Sequence, residues 1–139
     1  MKKKMLALLM AVGIGCTGVQ AQAAGNVTDT NLPTKKISFS YDTAARTPLR
    51  TKEDKTSHYL KNTSGFNLWV RSLNSSNVNC TYKSYAIVKP GEWFIWNTVK
   101  ESGYSSCKLD ITTATSGTTG TLRGVWSPDS VGSYPAANP

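Results

Sequence analysis

His58 is the single histidine in 139 residues, and it stands between Ser57 and Tyr59. Histidine is the side chain whose ordinary pKa suits proton transfer near neutrality. A hydrolytic triad would add a nucleophile on a sharp turn and an orienting acid. No such pattern accompanies His58, so it reads as an exposed strand histidine. One histidine and two cysteines expected to be oxidised cannot build a zinc site. Glycoside hydrolysis requires two opposed carboxylates. The chain holds eight acidic residues, and Glu53, Asp54, Glu92, Glu101 and Asp110 fall mostly in connections or at strand ends. An exported hydrolase that pairs two of them stays open as an alternative, but no catalytic residue is assigned. No glycine-rich phosphate loop follows a strand, and no cofactor or metal is implied.

The aromatic residues offer more. Trp69, Trp93, Trp96 and Trp126 accompany Tyr59, Tyr82, Tyr85 and Tyr104. Core packing is expected to absorb about three of the four tryptophans. Trp69 is the one expected at the surface, because Asn67 and Arg71 share its face. A tryptophan exposed among polar groups can stack on sugars or sit at a membrane interface. The formal net charge is +8, and the charges concentrate only between Arg46 and Lys61. Trp69, Arg71, Arg46, Arg50, Lys52 and Lys55 therefore form a candidate surface-binding set. Its partner would be an anionic cell envelope or a surface glycan. No nucleic-acid motif is present, so nucleic acid is not expected as a partner.

The N-terminus says where such a protein would act. Lys2, Lys3 and Lys4 precede an uncharged apolar run from Met5 to Ile14, and Ala21-Gln22-Ala23 gives a small-x-small cleavage site. The apolar run is about 10–15 residues, short of the roughly 20 that span a bilayer. The expectation is a cleaved signal peptide over residues 1–23 and a secreted protein with no transmembrane segment after cleavage. A retained anchor, or a lipoprotein acylated at Cys16, are the alternatives. Without the three leader lysines, 13 basic residues face 8 acids, a formal +5. Cys80 and Cys107 remain. An even cysteine count in an exported domain predicts one intramolecular disulfide. It would close a loop of about 27 residues and contribute roughly 3–4 kcal/mol.

Residues 24–35 are polar and read as a flexible leader, and residues 128–139 as a tail with little to bury it. Between them, residues 36–127 read as one β domain. Lys36 to Tyr41 alternates, with Ile37, Phe39 and Tyr41 on one face. Asp42 to Thr56 reads as a long connection with at most a short edge strand. Ser57 to Asn62 is a short strand, and Asn62 to Gly65 is turn chemistry. In Phe66 to Leu73, Leu68 and Val70 face opposite to Trp69 and Arg71. Cys80 to Val88 is the next strand, with Tyr85 and Ile87 opposite Ala86. Pro90-Gly91 forms a turn of type II. Glu92 to Val99 follows, with large side chains on both faces. Tyr104 to Thr112 places Cys107, Leu109 and Ile111 together, with Lys108 and Asp110 opposite. Thr113 to Gly120 is a loop, Thr121 to Trp126 a last strand. Short strands punctuated by turns, without helical periodicity, predict an all-β fold: a small antiparallel β-sandwich or partial barrel.

The Ile37–Tyr41 strand, the segment Arg50 to Lys61 (Arg-Thr-Lys-Glu-Asp-Lys-Thr-Ser-His-Tyr-Leu-Lys) and the distal Gly-Val-Trp-Ser-Pro-Asp-Ser of residues 124–130 resemble the DUF2712 family. That family comprises small secreted proteins of Gram-positive bacteria without an assigned function. The resemblance covers about residues 36–130. It implies an exported, β-rich protein that is not an enzyme, similar in style to bacteriocin-like proteins of the lactococcin 972 type. It carries over no site residues. The combined expectation is a non-enzymatic secreted domain acting at a cell surface, either bacteriocin-like or binding a surface component. An accessory partner of a membrane export or immunity system is a further alternative.

Overall fold

The computed structural model describes residues 25–139. The expected signal peptide and Cys16 lie outside the described residues. The strands are β1 Thr30–Asn31, β2 Lys36–Ile37, β3 Ala45–Arg46, β4 Arg50–Thr51, β5 His58–Asn62, β6 Leu68–Leu73, β7 Ala86–Val88, β8 Gly91–Ile95, β9 Ser106–Thr113, β10 Gly120–Thr121 and β11 Gly124–Ser127. The one helical turn among the described residues is 3₁₀, over Tyr41–Thr43. The fold is all-β, and every pairing between these strands is antiparallel. One sheet has the order β1-β11-β5-β8. A second has β3-β9-β6-β7, with β4 also on β9, and β10 pairs with β2.

The two larger sheets share a core. Leu60, Ile95 and Trp126 come from the first, and Leu68, Val70, Cys107, Leu109 and Ile111 from the second; all are fully buried in one cluster. Each such side chain stabilises the fold by roughly 1.5–3 kcal/mol. The alternation in β6 and β9 follows the sequence pattern, because a period of two gives every strand one inward row. Two of the crossings between the sheets are tight turns. Asn62–Gly65 carries the chain from β5 to β6, and Pro90-Gly91 from β7 to β8, where Gly91 adopts φ +114°. Buried Asn62 locks both crossings by donating to the Phe66 and Val88 carbonyls at 2.9 and 3.0 Å.

Several expectations fail for local reasons. The strand over Lys36 to Tyr41 stops at Ile37. Beyond it, Ser38 and Thr43 hydroxyls meet at 2.8 Å and the Ser40 hydroxyl caps the 3₁₀ turn, so side chains take the place of a ladder. Phe39 and Tyr41 consequently point to solvent, 53% and 57% exposed. Cys80 to Val88 is broken by Lys83 and Ser84, both at positive φ. The leader is not loose: β1 pairs with β11, and Leu32 is buried. The tail is also held. Phe94 donates to the Pro135 carbonyl at 2.9 Å and Ala137 donates back to Phe94 at 2.8 Å. Asn138 is buried and brackets Trp96, accepting from its N–H and donating to its carbonyl, both at 2.9 Å.

The expected disulfide is absent: Cys80 and Cys107 are buried free thiols. Sheet register explains this. Cys80 lies beside Ser72, to whose carbonyl its N–H donates at 2.7 Å. Ser72 stands opposite Leu109, two residues along β9 from Cys107. Strand β6 therefore separates the cysteines. Two strand spacings are about 9.6 Å, whereas a disulfide needs Cα atoms within about 6.8 Å. Burial pushes the Cys107 thiol up to about 12, and raises Cys80 as well. A chain lacking residues 1–23 should therefore show no change in melting midpoint with reductant. It should yield two thiols to a thiol reagent only after unfolding. A midpoint that falls by several degrees in reductant would restore the covalent staple.

His58 is also not exposed. It is fully buried on β5, between the sheets. Its Nδ1 donates to the Pro128 carbonyl at 2.8 Å, so its Nε2 must accept from the Ser72 hydroxyl at 2.7 Å. Burial, opposed by the bond to Pro128, holds the imidazole down to about 4 against an ordinary 6.5. The unfolded chain therefore takes up a proton near pH 6.5 that the folded chain refuses until about pH 4. Stability present above pH 6.5 should be lost as the pH falls through that window, by on the order of 3 kcal/mol. Urea denaturation at pH 7 and pH 4.5 measures the loss. In His58→Gln the difference between the two pH values should shrink markedly.

Candidate binding face on the five-stranded sheet

The outward row of β6 begins the site. Leu68, Val70 and Ser72 fill the interior, which turns Trp69 and Arg71 to the opposite face. Across the ladder Trp69 stands opposite Ile87 and Thr112, and Arg71 opposite Asp110. Asp110 also stands opposite Arg46 on β3. Its carboxylate accepts from Arg46 Nε at 2.9 Å and from Arg71 at 2.5 Å, and is almost wholly buried between them.

The aromatic side chains assemble around this row. Tyr85 stacks on Trp69, with ring centroids 5.4 Å apart at 19°. Tyr41 meets Trp69 edge-on at 5.4 Å and 81°. The Arg71 guanidinium lies over both rings, 5.0 Å from Tyr41 and 5.4 Å from Trp69. Buried Arg71 Nε has no oxygen partner; the neighbouring ring faces are its compensation. A cavity of about 250 Å³ opens between Phe39, Tyr41, Trp69 and Thr112. Two arginines, one carboxylate and three to four aromatic rings can hold a flat, weakly anionic ligand by stacking and charge.

Of the six candidate binding residues, the structure brings together Trp69, Arg71 and Arg46. Arg50 is part-buried and clasps the N-terminal segment: it donates to the Thr28 carbonyl at 2.6 Å and the Trp126 carbonyl at 3.0 Å. Its guanidinium lies 5.4 Å from the Trp126 ring centre. Lys52 is a correction. It is 1% exposed and its ammonium donates to Asp129 and to the Asp54 and Thr56 carbonyls. A basic residue in a charged stretch reads as solvated, but here the carboxylate that its ammonium hydrogen-bonds lies 77 positions away. Lys55 is exposed and is not part of this face.

Core packing claims fewer tryptophans than expected. Trp126 alone is fully buried, and Trp96 is 41% exposed beside Tyr82. Phe39, Tyr41, Tyr85 and Asp110 were missed. The outward rows of β6, β7 and β9 carried a signal for Tyr85 and Asp110. Phe39 and Tyr41 carried a misleading one, because their alternation looked like a buried strand. The five acids weighed for hydrolysis do not converge. Asp110 is held by arginines on one sheet, Glu92 accepts the Tyr59 phenol at 2.6 Å on the other, and Glu101 lies in an exposed turn. Ser72 and His58 form a serine–histidine pair, but both are fully buried.

A family model for a protein of unknown function matches residues 19–130. The chain belongs to the DUF2712 family. The match takes in both larger sheets and stops before the segment that covers β8. No curated protein and no solved structure matches this DUF2712 chain. Among the described residues no helix is long and apolar enough to cross a membrane, and no three metal-ligating side chains cluster.

The charge arrangement sets an order of sensitivity. Asp110→Ala strips both arginines of their carboxylate and leaves part-buried Arg71 uncompensated, an expected loss of about 2–4 kcal/mol. Arg46→Ala removes a half-exposed partner and should cost less than about 1 kcal/mol. Urea denaturation of the two variants checks the order. Equal losses would mean that Asp110 does not anchor the row.

Proposed function

We propose that this DUF2712 protein is a secreted, non-enzymatic binding module, a small two-sheet sandwich that acts at a cell surface. Its contact is the face formed by Phe39, Tyr41, Trp69 and Tyr85, and its ligand is an anionic surface glycan. One observation carries the reading: Tyr85 and Tyr41 frame Trp69 beside an open cavity of about 250 Å³, with Arg71 lying across the rings. Aromatic faces are electron-rich and attract the C–H face of a pyranose. Arg46 and Arg71 exceed Asp110 by one positive charge, which favours an acidic sugar or a substituent phosphate. The leader lysines and the cleavage pattern ending at Ala23 support export.

Sedimentation with isolated Gram-positive cell walls tests this. The parent chain should bind at low salt and release progressively as ionic strength rises. Tyr41→Ala and Tyr85→Ala, both at exposed side chains, should each weaken binding about tenfold, a loss near 1.4 kcal/mol. Their melting midpoints should stay close to the parent's. Variants that bind walls like the parent would remove this face from the account, and walls that never retain the parent would remove the function.

A further inference from the structure

A second cleft, of about 180 Å³, lies on the outer face of the other sheet. Tyr59 on β5 stands opposite Ser127 on β11 there, and opposite Phe94 on β8. Tyr134 from the C-terminal segment covers this row. Its ring lies 5.2 Å from Tyr59 at 52°, and Phe94 braces it edge-on at 5.4 Å. Asp29, Ser130, Val27 and Val131 complete the lining with Tyr59 and Tyr134.

Ser130 is the unusual member. It is 8% exposed, and its backbone N–H donates to the Thr56 hydroxyl at 2.9 Å. Its own hydroxyl borders the cleft and has no hydrogen-bond partner among the described residues. It is therefore free to accept a bond from a ligand in the cleft. Asp29 is the second open group. It is exposed, and no cation of the described residues pairs with it: the ion pairs there are those of Asp110, Asp54 and Asp129. Glu92, bonded to the Tyr59 phenol at 2.6 Å, forms no ion pair among them, and Lys61 stands opposite it on β5. Asp29 is the carboxylate that lines the cleft. Burial and then Glu92 raise the Tyr59 phenol, and the charge of Glu92 raises Tyr134.

These groups complement a cation. Tyrosine ring faces attract positive charge, and a carboxylate and a free hydroxyl accept N–H bonds. A quaternary ammonium would use the rings and leave Ser130 and Asp29 without a donor. A primary ammonium engages all three and can lay an apolar stem along Val27 and Val131. We infer that the cleft bounded by Asp29, Ser130, Tyr59 and Tyr134 is a binding site for a primary ammonium group on a short aliphatic stem. The same chemistry is offered by a small free amine and by the lysine side chain of a peptide. This site is separate from the Trp69 face, and its ligand is of opposite charge.

Titration of the chain lacking residues 1–23, followed by the Tyr134 ring signals in NMR, tests the inference. The probes are n-butylammonium, Nα-acetyl-lysine methylamide, its Nε-acetylated analogue and tetramethylammonium. The two primary amines should bind, and the Nε-acetylated analogue should bind at least about tenfold more weakly. Tetramethylammonium should be weaker by about fivefold, since it offers no donor. A lysine derivative that binds better than butylammonium identifies a peptide source, and equal binding a simple amine; either supports the site. Asp29→Asn, at an exposed residue, should lower affinity about tenfold, and Ser130→Ala about threefold. Tyr85→Ala should leave amine binding unchanged, so failure of the glycan reading is distinguishable. Equal binding of the acetylated analogue, an Asp29→Asn chain that binds like the parent, or no shift of Tyr134 with any amine would overturn the inference.

Discussion

Asp129 keeps a carboxylate where none of its side chain meets water. Moving such a charge out of solvent costs several kcal/mol even after relaxation. Burial alone would push its carboxyl up. The N–H groups of Asn26 and Glu53, at 2.7 and 2.8 Å, and the Lys52 ammonium outweigh that and hold it below the usual carboxylate range. Lys52 in turn gives its remaining protons to the Asp54 and Thr56 carbonyls at 2.7 and 2.6 Å, so all three are used. The donors come from the N-terminal segment and from the connection between β4 and β5, and the acceptor follows β11. Gly25 closes the cluster at φ +90°; a Cβ there would come within 2.8 Å of the Asp129 Cβ. A buried pair of this kind contributes less net stability than apolar packing would. What it supplies is position, because displacing either segment would leave a buried charge without its partner.

That constraint replaces the covalent one expected from the cysteine count. Lys52 and Asp129 lie 77 positions apart, so their pairing ties together distant stretches of chain as a sulfur bridge would. Arg50, two residues before Lys52, extends the tie by bonding to the Thr28 and Trp126 carbonyls. It thereby seats β4 on the edge of β9 while β1 lies along β11. His58 adds the link between sheets through Ser72. These polar contacts hold the rims of the domain, and the apolar rows hold its centre. The thiols are left as small core side chains.

The inward rows were legible in the sequence because a strand's period of two is a property of a few adjacent residues. Leu68 and Val70, and Cys107 with Leu109 and Ile111, fall where alternation puts them. The turns at Asn62–Gly65 and Pro90-Gly91 were legible for the same reason. What escaped depended on partners far along the chain. Lys52 looked like a surface charge until Asp129 was placed beside it. His58 looked exposed because its flanking residues are polar, yet Pro128 and Ser72 supply both of its bonds. Asn138 sits in a segment of low apolar content, and hydrogen bonding to Tyr82 and Trp96 rather than burial of hydrocarbon holds it. At the candidate site, Trp69 and Arg71 were visible from one strand's alternation. Phe39 and Tyr41 were not, because serine and threonine side chains ended the strand that carried them.

The two outer faces are not treated alike by the chain. On the four-stranded sheet the C-terminal segment returns over Tyr59 and Phe94, and Tyr134 covers them. On the five-stranded sheet no comparable segment of the described residues returns: the rings about Trp69 cover only one another, and Phe39, Tyr41 and Tyr85 stay about half exposed. Full burial of each such side chain would stabilise the fold by roughly 1.5–3 kcal/mol. Folding to the lowest-energy monomer gives no reason to forgo that on one sheet while collecting part of it on the other. Trp69 stands on β6, which is paired on both sides, and Phe39, Tyr41 and Tyr85 reach it from the segments that follow β2 and precede β7. A ring fixed on a doubly paired strand and braced by its neighbours loses little conformational freedom on binding, and low ordering entropy favours affinity at a small aromatic face. The proposed contact face is thus the one that the described chain leaves uncovered.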